Sequence, residues 1–416
     1  MAREEGGRLL ALLADRLGGV DIAEDCLQDA YARASARWPG EGVPDNPAAW
    51  LYTVARNAGI DRLRRESVAR RRIESQSRVI GAGQVAPQEG VEPADAQRWI
   101  AEYREVGDEQ LRLLLLCCHP ALSREAQVAL TLRLVGGLTT EEIAAAYMVP
   151  VATIAQRLVR AKRKIRLANI PLSIPSDLSE RAKVIVTVLG LVFNEGYLAH
   201  TATTGTLTRA DVADQAIRLT AVAADALPDE PEIAGLLALE LFHRSREDAR
   251  VGPDGELVRL PDQDRALWDR RAIARGHAVL GQALAARRLG PWQVQALIAA
   301  EHAREATDWT RVVRYHDLLQ EFGPNPVAAV GRAVARAEIV GPEAAIDEIA
   351  AIGGLDGYHL KHAALADLLE RAGRAAEAAD AWARAAALTD NPVERAHITQ
   401  RLAHLGRTSG DGPREF

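Results

Sequence analysis

The stretch that decides the fold is "LTTEEIAAAYMVPVATIAQRLVRAKRKIR", residues 138–166, which reads as two short helices joined by a tight turn. Thr139 and Glu142 have the spacing of a capping box, in which each side chain accepts a hydrogen bond from the other residue's backbone N–H. The first helix ends before Pro150, and an amphipathic helix follows directly. This arrangement predicts a helix-turn-helix unit.

The second of these helices has an apolar face and a basic face. Four apolar residues recur at helical spacing and form the predicted buried stripe: Ile154, Leu158, Ala161 and Ile165. A different face carries Thr153, Gln156, Arg157, Arg160 and Lys164. Arginine forms paired hydrogen bonds with guanine or phosphate, and glutamine pairs with adenine. A basic helix face is often only solvated, but residues 143–176 contain no acid, which favours contact with DNA.

A second basic segment lies upstream, where residues 56–72 hold seven arginines against two acids. It continues a predicted helix from Ala48 to Glu66, preceded by the turn-rich loop "PGEGVPDNP", in which Asn46 is the expected helix cap. The polar side of this helix is predicted to carry Trp50, Thr53, Asn57, Asp61 and Arg64. A tryptophan and an asparagine beside such a loop could hold an unstacked base. The alternative is a solvated helix with Trp50 in the core.

An acidic helix comes before both basic segments, with the sequence "DIAEDCLQDAYARA" at residues 21–34. Its acidic and amide side chains are Glu24, Asp25, Gln28 and Asp29. An acidic patch repels DNA, so we expect it to bind a basic protein partner. A solvated helix face is the alternative.

The composition favours an all-α protein of two or three domains: 416 residues, 48% hydrophobic and only 4% aromatic. Charge is unevenly spread, because residues 1–175 sum to +2 and residues 176–416 to -8, which together give the net charge of -6. No stretch reaches the roughly 18 consecutive apolar residues of a membrane span, and the first ten residues lack a signal pattern. We therefore expect a cytoplasmic protein without a disulfide framework, since it has three cysteines.

The chain divides into four predicted parts by its turn and composition signals. Residues 1–72 form a helical domain, residues 73–107 a flexible linker, residues 108–171 the helix-turn-helix domain, and residues 172–416 a long alanine-rich helical extension. A degenerate repeat in the extension fits tetratricopeptide spacing at Leu365, Gly373, Ala378, Trp382 and Ala385. Gly341 precedes Gly373 by 32 residues, close to the repeat period.

The acidic helix, the loop with its arginine-rich helix and the helix-turn-helix, in this order, resemble a bacterial sigma factor of the extracytoplasmic-function type. "VFNEGY" at residues 192–197 and the helices after it are similar to the branch with a long TPR-like C-terminal extension. The resemblance implies two small helical sigma domains that guide core RNA polymerase to promoter DNA. The implied polymerase contacts are the beta-prime clamp helices and the beta flap.

The resemblance also assigns expected roles to residues by position. It gives Asp25, Gln28 and Asp29 to polymerase binding. The minus-ten candidates are Asn46, Trp50, Arg56, Asn57, Asp61, Arg62, Arg64 and Arg65. The minus-thirty-five candidates are Pro150, Thr153, Gln156, Arg157 and Arg160, with Lys164 on the same face. Two positions depart from the family: Ala155 stands where many relatives carry lysine, and Met148 where glycine often makes the turn.

Other functions explain less of the sequence. A one-component regulator with a helical sensor would account for residues 138–416 and leave the first 72 without a role. An enzyme would depend on "CCHP" at residues 117–120, or on Glu195 and His200, but adjacent cysteines on a helix cannot face one metal, so we expect them in the core. We expect no catalytic residue, cofactor or metal. The extension is expected to regulate the sigma domains in cis; alternatively, it only helps the second domain fold.

Overall fold

The computed structural model describes residues 2–75, 107–147, 149–174, 178–197, 210–253, 256–389 and 391–410. Within these ranges the chain is helical, and extended pairing is limited to an isolated antiparallel bridge between Val251 and Leu257. The all-α prediction is therefore confirmed. Most of the predicted linker, residues 76–106, lies outside the described residues, and so does Met148.

The chain forms two compact units, one of residues 1–145 and 149–188 and the other of residues 146–148 and 189–416. The helices up to the helix-turn-helix are α1 (Ala2–Leu17), α2 (Val20–Glu41), α3 (Pro47–Ser75), α4 (Gly107–Cys117), α5 (Arg124–Leu130), α6 (Thr140–Ala146) and α7 (Val151–Leu167). Helix α8 (Leu178–Tyr197) begins in the first unit and ends in the second. The expected start of the extension at residue 172 thus lies within the first unit.

Several helix ends follow the local sequence signals. The Asn46 side chain accepts a hydrogen bond from the Ala49 backbone N–H at 3.0 Å, so it caps α3 as expected. The capping box at α6 is also present, because the Thr139 N–H donates to Glu142 Oε2 at 2.8 Å and the Glu142 N–H donates to Thr139 Oγ1 at 3.1 Å. These bonds satisfy backbone donors that a helix start otherwise leaves unpaired.

The predicted end of one helix was wrong. Helix α2 continues through Pro39 to Glu41, although the loop was expected to begin at Pro39. The helix ends instead at Gly42, which takes a φ of 86° and donates its N–H to the Trp38 carbonyl oxygen. Helix α3 runs past Glu66 to Ser75, because the arginine-rich segment contains good helix formers and no breaker.

Helix α1 joins the two halves of the first unit. It packs against α2 and α3, and also against α4 and the π-helical turn Thr131–Val135 that continues α5. Gly7 lies so close to this turn that a Cβ atom there would come 2.3 Å from the Val135 carbonyl oxygen. The segments on either side of the predicted linker therefore pack together, a contact that the sequence did not predict.

The helix-turn-helix buries the predicted stripe of α7 in part. Ile154, Leu158 and Ala161 are buried against the rest of the segment, while Ile165 is half-buried. Helix α7 packs on α5 through this apolar stripe. The basic face of α7 therefore lies on the side away from the core.

The second unit is a series of helices connected mostly by short loops: α9 (Ala210–Ala226), α10 (Pro231–Arg244), α11 (Glu247–Arg250), α12 (Arg270–Ala285), α13 (Pro291–His302), α14 (Trp309–Glu321), α15 (Pro326–Val340), α16 (Pro342–Ala351), α17 (His359–Arg371), α18 (Ala375–Leu388) and α19 (Pro392–Gly410). Helices α17 and α18 pack as a pair, with Ala366, Ala378 and Trp382 in one buried cluster. Gly341 and Gly373 take φ of 90° and 77° at helix ends, where glycine avoids backbone strain. This geometry agrees with the predicted TPR-like repeat.

A carboxyl group lies in the core of the second unit. Glu240 of α10 is fully buried, and its Oε1 lies 2.9 Å from the Thr220 hydroxyl oxygen on α9. That hydroxyl has one proton and also lies 3.0 Å from the Ala216 carbonyl oxygen, which can only accept it. The Thr220 hydroxyl is thus shared between these two acceptors, and burial raises the pKa of the Glu240 carboxyl well above the usual range in spite of this hydrogen bond.

Candidate nucleic-acid interface

The basic face of α7 remains open to solvent in the first unit. Gln156, Arg160 and Lys164 are exposed, and Thr153 and Arg157 are half-buried at the sides of this face. Their spacing of three and four residues aligns them along one side of the helix. Pro150 is exposed and precedes the first residue of α7 in an extended conformation. The structure therefore brings the predicted minus-thirty-five candidates together on one surface.

The arginine-rich part of α3 forms a second exposed basic surface. The predicted residues that are exposed here are Asn57, Asp61, Arg62, Arg64 and Arg65. Arg56 is half-buried, and its Nη2 lies 3.4 Å from Asn57 Oδ1. The Arg65 Nε donates to the Asp61 backbone oxygen at 3.2 Å, which directs that guanidinium along the helix.

An aromatic pair lies at the start of α3. Trp50 is half-buried and meets Trp38 edge to face, with ring centroids 5.5 Å apart. The Asn46 oxygen is occupied as the helix cap, and the residue is exposed at the end of the loop. Trp38 was missed from the sequence, because nothing local links it to a tryptophan twelve residues later. The two rings thus pack together at the first turn of α3, the turn that Asn46 caps.

The predicted polar side of α3 needs one correction. Thr53 is buried, with 3% of its surface exposed, and its hydroxyl donates to the Ala49 carbonyl oxygen at 2.9 Å. A threonine can turn inward when a carbonyl of its own helix satisfies its hydroxyl. Thr53 is therefore part of the core.

The residues expected to bind polymerase lie on the outer side of α2. Asp25, Gln28 and Asp29 are all exposed. Asp25 also accepts a hydrogen bond from Arg62 on α3, with 2.8 Å between Arg62 Nη1 and Asp25 Oδ2. A residue expected to face polymerase is thus paired with one expected to face DNA.

Glu24 lies on the same helix as these three residues but contacts the helices that follow residue 107. Its carboxylate accepts hydrogen bonds from Arg133 Nε, at 3.0 Å, and from Lys162 Nζ on α7. Only 13% of the Glu24 side chain is exposed. Two further ion pairs join the same halves: Arg112 with Asp15 at 2.8 Å, and Arg166 with Asp21 at 3.5 Å. No local signal could have found these pairs, because their partners are up to 145 residues apart in sequence.

The alternative enzyme residues do not form a site in the described chain. Cys117 and Cys118 are buried, as predicted, and burial raises the pKa of Cys118 to about 12. Groups of three or more histidine, cysteine or acidic residues that could hold a metal are absent from the described residues. His200 and the Glu195 side chain lie outside them.

Comparison with known proteins matches the same segments. The model of sigma-70 region 2 matches residues 1–68, and that of sigma-70 region 4 matches residues 112–165. A probable ECF RNA polymerase sigma factor, SigI of Mycobacterium tuberculosis, is 29% identical over 166 residues, which are 40% of this chain and 53% of that protein. The chain therefore carries regions 2 and 4 of the sigma-70 family and is similar to an extracytoplasmic-function member of it. Members of this family are non-catalytic transcription initiation factors.

One protein is similar to this chain over nearly its whole length. An uncharacterized protein of Rhizobium meliloti (strain 1021) is 41% identical over 393 residues, which are 93% of this chain and 90% of that protein. A family of unknown function, DUF6596, matches residues 181–284 of the extension. No solved structure matches.

The sigma domains explain the exposed surfaces in general terms. Proteins with these two regions interact with core RNA polymerase and promoter DNA, so a DNA-binding role in transcription initiation follows for the chain. Of the helices that the structure describes, none has the length and apolar character needed to cross a membrane.

Proposed function

We propose that this sigma factor directs core RNA polymerase to specific promoters through two DNA elements, and that its helical extension regulates this activity. The observation that carries the proposal is the order of three exposed surfaces in the first unit: acids on α2, arginines on α3 and the basic face of α7. The match to both sigma regions supports the same order.

The exposed acids of α2 would bind a basic surface of polymerase, the beta-prime clamp helices. Asp25 already accepts a hydrogen bond from a guanidinium in the free chain, which is the geometry that an arginine of a partner would use. Gln28 and Asp29 lie one turn further along the same helix. The helix-turn-helix domain would bind the beta flap, so that polymerase fixes the distance between both domains.

The start of α3 would hold an unstacked base of the minus-ten element. Extruding a base costs a few kcal/mol, so a pocket must compensate this cost by stacking and hydrogen bonds. The Trp50 ring, supported by Trp38, offers an aromatic surface, and the free amide N–H groups of Asn46 can reach a base edge. The arginines further along α3 would bind phosphates.

The α7 face would read the minus-thirty-five element in the major groove. Gln156 and Arg160 are exposed and have side chains that recognise adenine and guanine edges. Lys164 lies one turn later and would bind a phosphate. Each small domain alone would bind DNA weakly and with strong salt dependence, so stringency would come from the two elements being required together.

The extension would act in cis, in place of a separate inhibitor. Two features support this: it forms a compact unit with its own buried cluster, and part of it matches a family model distinct from both sigma regions. A truncation after residue 188 retains all residues of the first unit and tests the idea. If the truncated chain supports the same promoter-dependent transcription with the same regulation, the extension has no regulatory role.

The decisive experiment mixes the purified chain with core polymerase and a genomic library, and measures run-off transcripts. Promoter-specific products that require both the chain and polymerase are expected. Asp25→Asn with Asp29→Asn should abolish them, while Arg37→Gln, which breaks an exposed pair on the same helix, should not. Tight binding to DNA without polymerase, together with no specific transcripts, would favour the one-component regulator instead.

A further inference from the structure

A long connection lies between α10 and α12 of the second unit, although these two helices already meet. The Asp269 N–H, just before α12, donates to the Ser245 carbonyl oxygen, just after α10, at 2.8 Å. A short turn would therefore be enough to connect the helices, but the chain adds α11 and residues 251–268. Connections longer than about 12–15 residues are uncommon in compact domains, and they usually have a function.

Residues 256–263 of this connection, which we call the strap, reach a helix far along the chain. Arg259 of the strap donates from Nη1 to Asp367 Oδ1 on α17 at 2.6 Å, although the two residues are 108 positions apart in sequence. Its Nε donates to Asp262 Oδ2 at 3.0 Å, so one guanidinium binds two carboxylates. Burial lowers the pKa of His397 on α19, and Arg259 lowers it further, which places the strap beside α19 as well.

The strap is held by polar contacts more than by apolar burial. Each of its residues is half-buried or exposed, and the Arg259 and Asp367 side chains are 39% and 30% exposed. The chain is anchored on both sides of the strap, because Arg250 and Trp268 are buried. Partly exposed ion pairs contribute little to stability, so the strap can leave α17 while its anchors and the helical core stay in place.

The backbone of the strap has the form of a bound peptide. Arg259 and Gln263 are extended, and they flank a short turn that contains Pro261. Arginine and carboxylate form charge-assisted hydrogen bonds, which are stronger and more directional than those between neutral groups. The contact of Arg259 with Asp367 is thus one that an extended peptide from another protein would also make.

We infer that the surface around Asp367 and His397 binds an extended peptide that carries arginine, and that the strap is its resident ligand. A peptide of the same chemistry on a partner protein binds there by displacing the strap. This surface belongs to the extension alone, so it does not depend on the proposed role in transcription.

A full-length variant with residues 256–263 replaced by a glycine–serine segment of equal length opens the surface. Fluorescence anisotropy measures how this variant binds a labelled peptide with the strap sequence, ELVRLPDQ. The natural chain should bind the peptide roughly tenfold more weakly than the opened variant. The reason is that the attached strap competes at an effective concentration on the order of 1 mM, against a peptide Kd of about 100 μM.

Two changes test whether the surface recognises arginine. The peptide ELVQLPDQ, with glutamine in place of arginine, should bind the opened variant roughly tenfold more weakly, because it lacks the charge-assisted hydrogen bond. Asp367→Asn in the opened variant should weaken the binding of ELVRLPDQ to a similar extent. The matched control is Asp347→Asn, which changes an exposed acid on α16 and should have no effect.

Hydrogen exchange tests the strap in an otherwise natural chain. Arg259→Gln should increase the exchange rate of residues 256–263 severalfold, because the strap loses its contact with α17. Exchange in α17 and α18 should stay unchanged. Arg270→Gln, which removes an exposed charge on α12, is the control and should leave all of these rates as they are.

Several outcomes would overturn the inference. These are failure of ELVRLPDQ to bind the folded opened variant, equal binding of both peptides, and unchanged exchange of the strap in Arg259→Gln. If the opened variant does not fold, Arg259→Gln takes its place and should bind ELVRLPDQ severalfold more tightly than the natural chain. Equal affinity of these two chains would also contradict a strap that covers the surface.

Discussion

Arg62 of α3 donates a hydrogen bond to Asp25 of α2 across 2.8 Å and so joins a residue proposed for DNA to one proposed for polymerase. The side chains are 44% and 59% exposed, so solvent screens the pair. Exposed pairs of this kind contribute about 1 kcal/mol or less to stability. The Asp25 carboxylate is therefore available to a stronger partner at little cost to the fold.

Replacing Asp25 should thus affect binding and not folding. Asp25→Asn is expected to weaken the affinity for core polymerase roughly tenfold, which is about 1.4 kcal/mol for a lost interfacial charge pair, and to change the unfolding free energy by about 1 kcal/mol or less. Arg62→Gln should leave polymerase affinity nearly unchanged. Titration of labelled polymerase and chemical denaturation measure the two quantities. A large loss of stability in Asp25→Asn would mean that the pair is structural.

The double role of Asn46 can be separated by comparing two substitutions. Asn46→Ala loses both the helix cap and the amide, and should lower the unfolding free energy by about 1 kcal/mol. Asn46→Ser keeps a capping oxygen and should retain stability. Both should slow promoter opening, followed by 2-aminopurine fluorescence in the minus-ten element, more than they weaken duplex binding. A serine variant that opens promoters at the normal rate would exclude base contact by Asn46.

The α7 face makes a prediction about salt dependence and sequence preference. Arg160→Gln should weaken promoter binding by about 1–3 kcal/mol and relax the preference at one position if it contacts a base. If it contacts a phosphate, binding should fall evenly across sequences and the salt slope should decrease by about 0.9. Fluorescence anisotropy at several salt concentrations distinguishes the two. Arg163→Gln is the control, and an equal effect there would indicate a non-specific charge effect.

The buried Glu240 should make the second unit less stable as pH rises. Below pH 4.5 the carboxyl is protonated in both folded and unfolded chains. Above it the unfolded chain ionises first, because burial raises the folded-state pKa. The unfolding free energy then falls by at most about 1.4 kcal/mol per pH unit until the folded-state pKa is reached.

Glu240→Gln should remove this pH dependence, because an amide stays neutral over this range and its oxygen can still accept the hydrogen bond from the Thr220 hydroxyl. Thermal unfolding from pH 5 to pH 8 measures the effect. The variant should be more stable than the natural chain at pH 8 and similar at pH 5. If the melting temperatures of both proteins change in parallel with pH, Glu240 ionises in the folded chain as it does in the unfolded chain, and the prediction is wrong.

Local sequence signals predicted much of the fold and of the individual surfaces. The Asn46 cap, the Thr139–Glu142 capping box and most of the α7 stripe depend on residues a few positions apart, so they can be read from spacing. The exposed faces of α3 and α7 follow from helical periodicity in the same way. Thr53 was misplaced because a hydroxyl that bonds its own helix can face either side.

The relation between the two sigma domains could not be predicted. Glu24 is 109 residues from Arg133 and 138 residues from Lys162 in sequence, and only tertiary packing brings them together. An acidic cluster on a helix has the same pattern whether it faces solvent, polymerase or another part of the chain. The positions of the charges on α2 could therefore be predicted from the sequence, but the residues that pair with Glu24 could not.

The close approach of Gly7 to Val135 has a consequence for how such proteins diverge. A single codon change that adds a methyl group at position 7 would be enough to loosen the first domain from the second, without altering any charge or any side chain proposed to read DNA. Relatives that keep glycine at this position should then also keep opposite charges at the positions of Glu24 and Lys162. Lineages that lost the glycine would be free to lose those charges together.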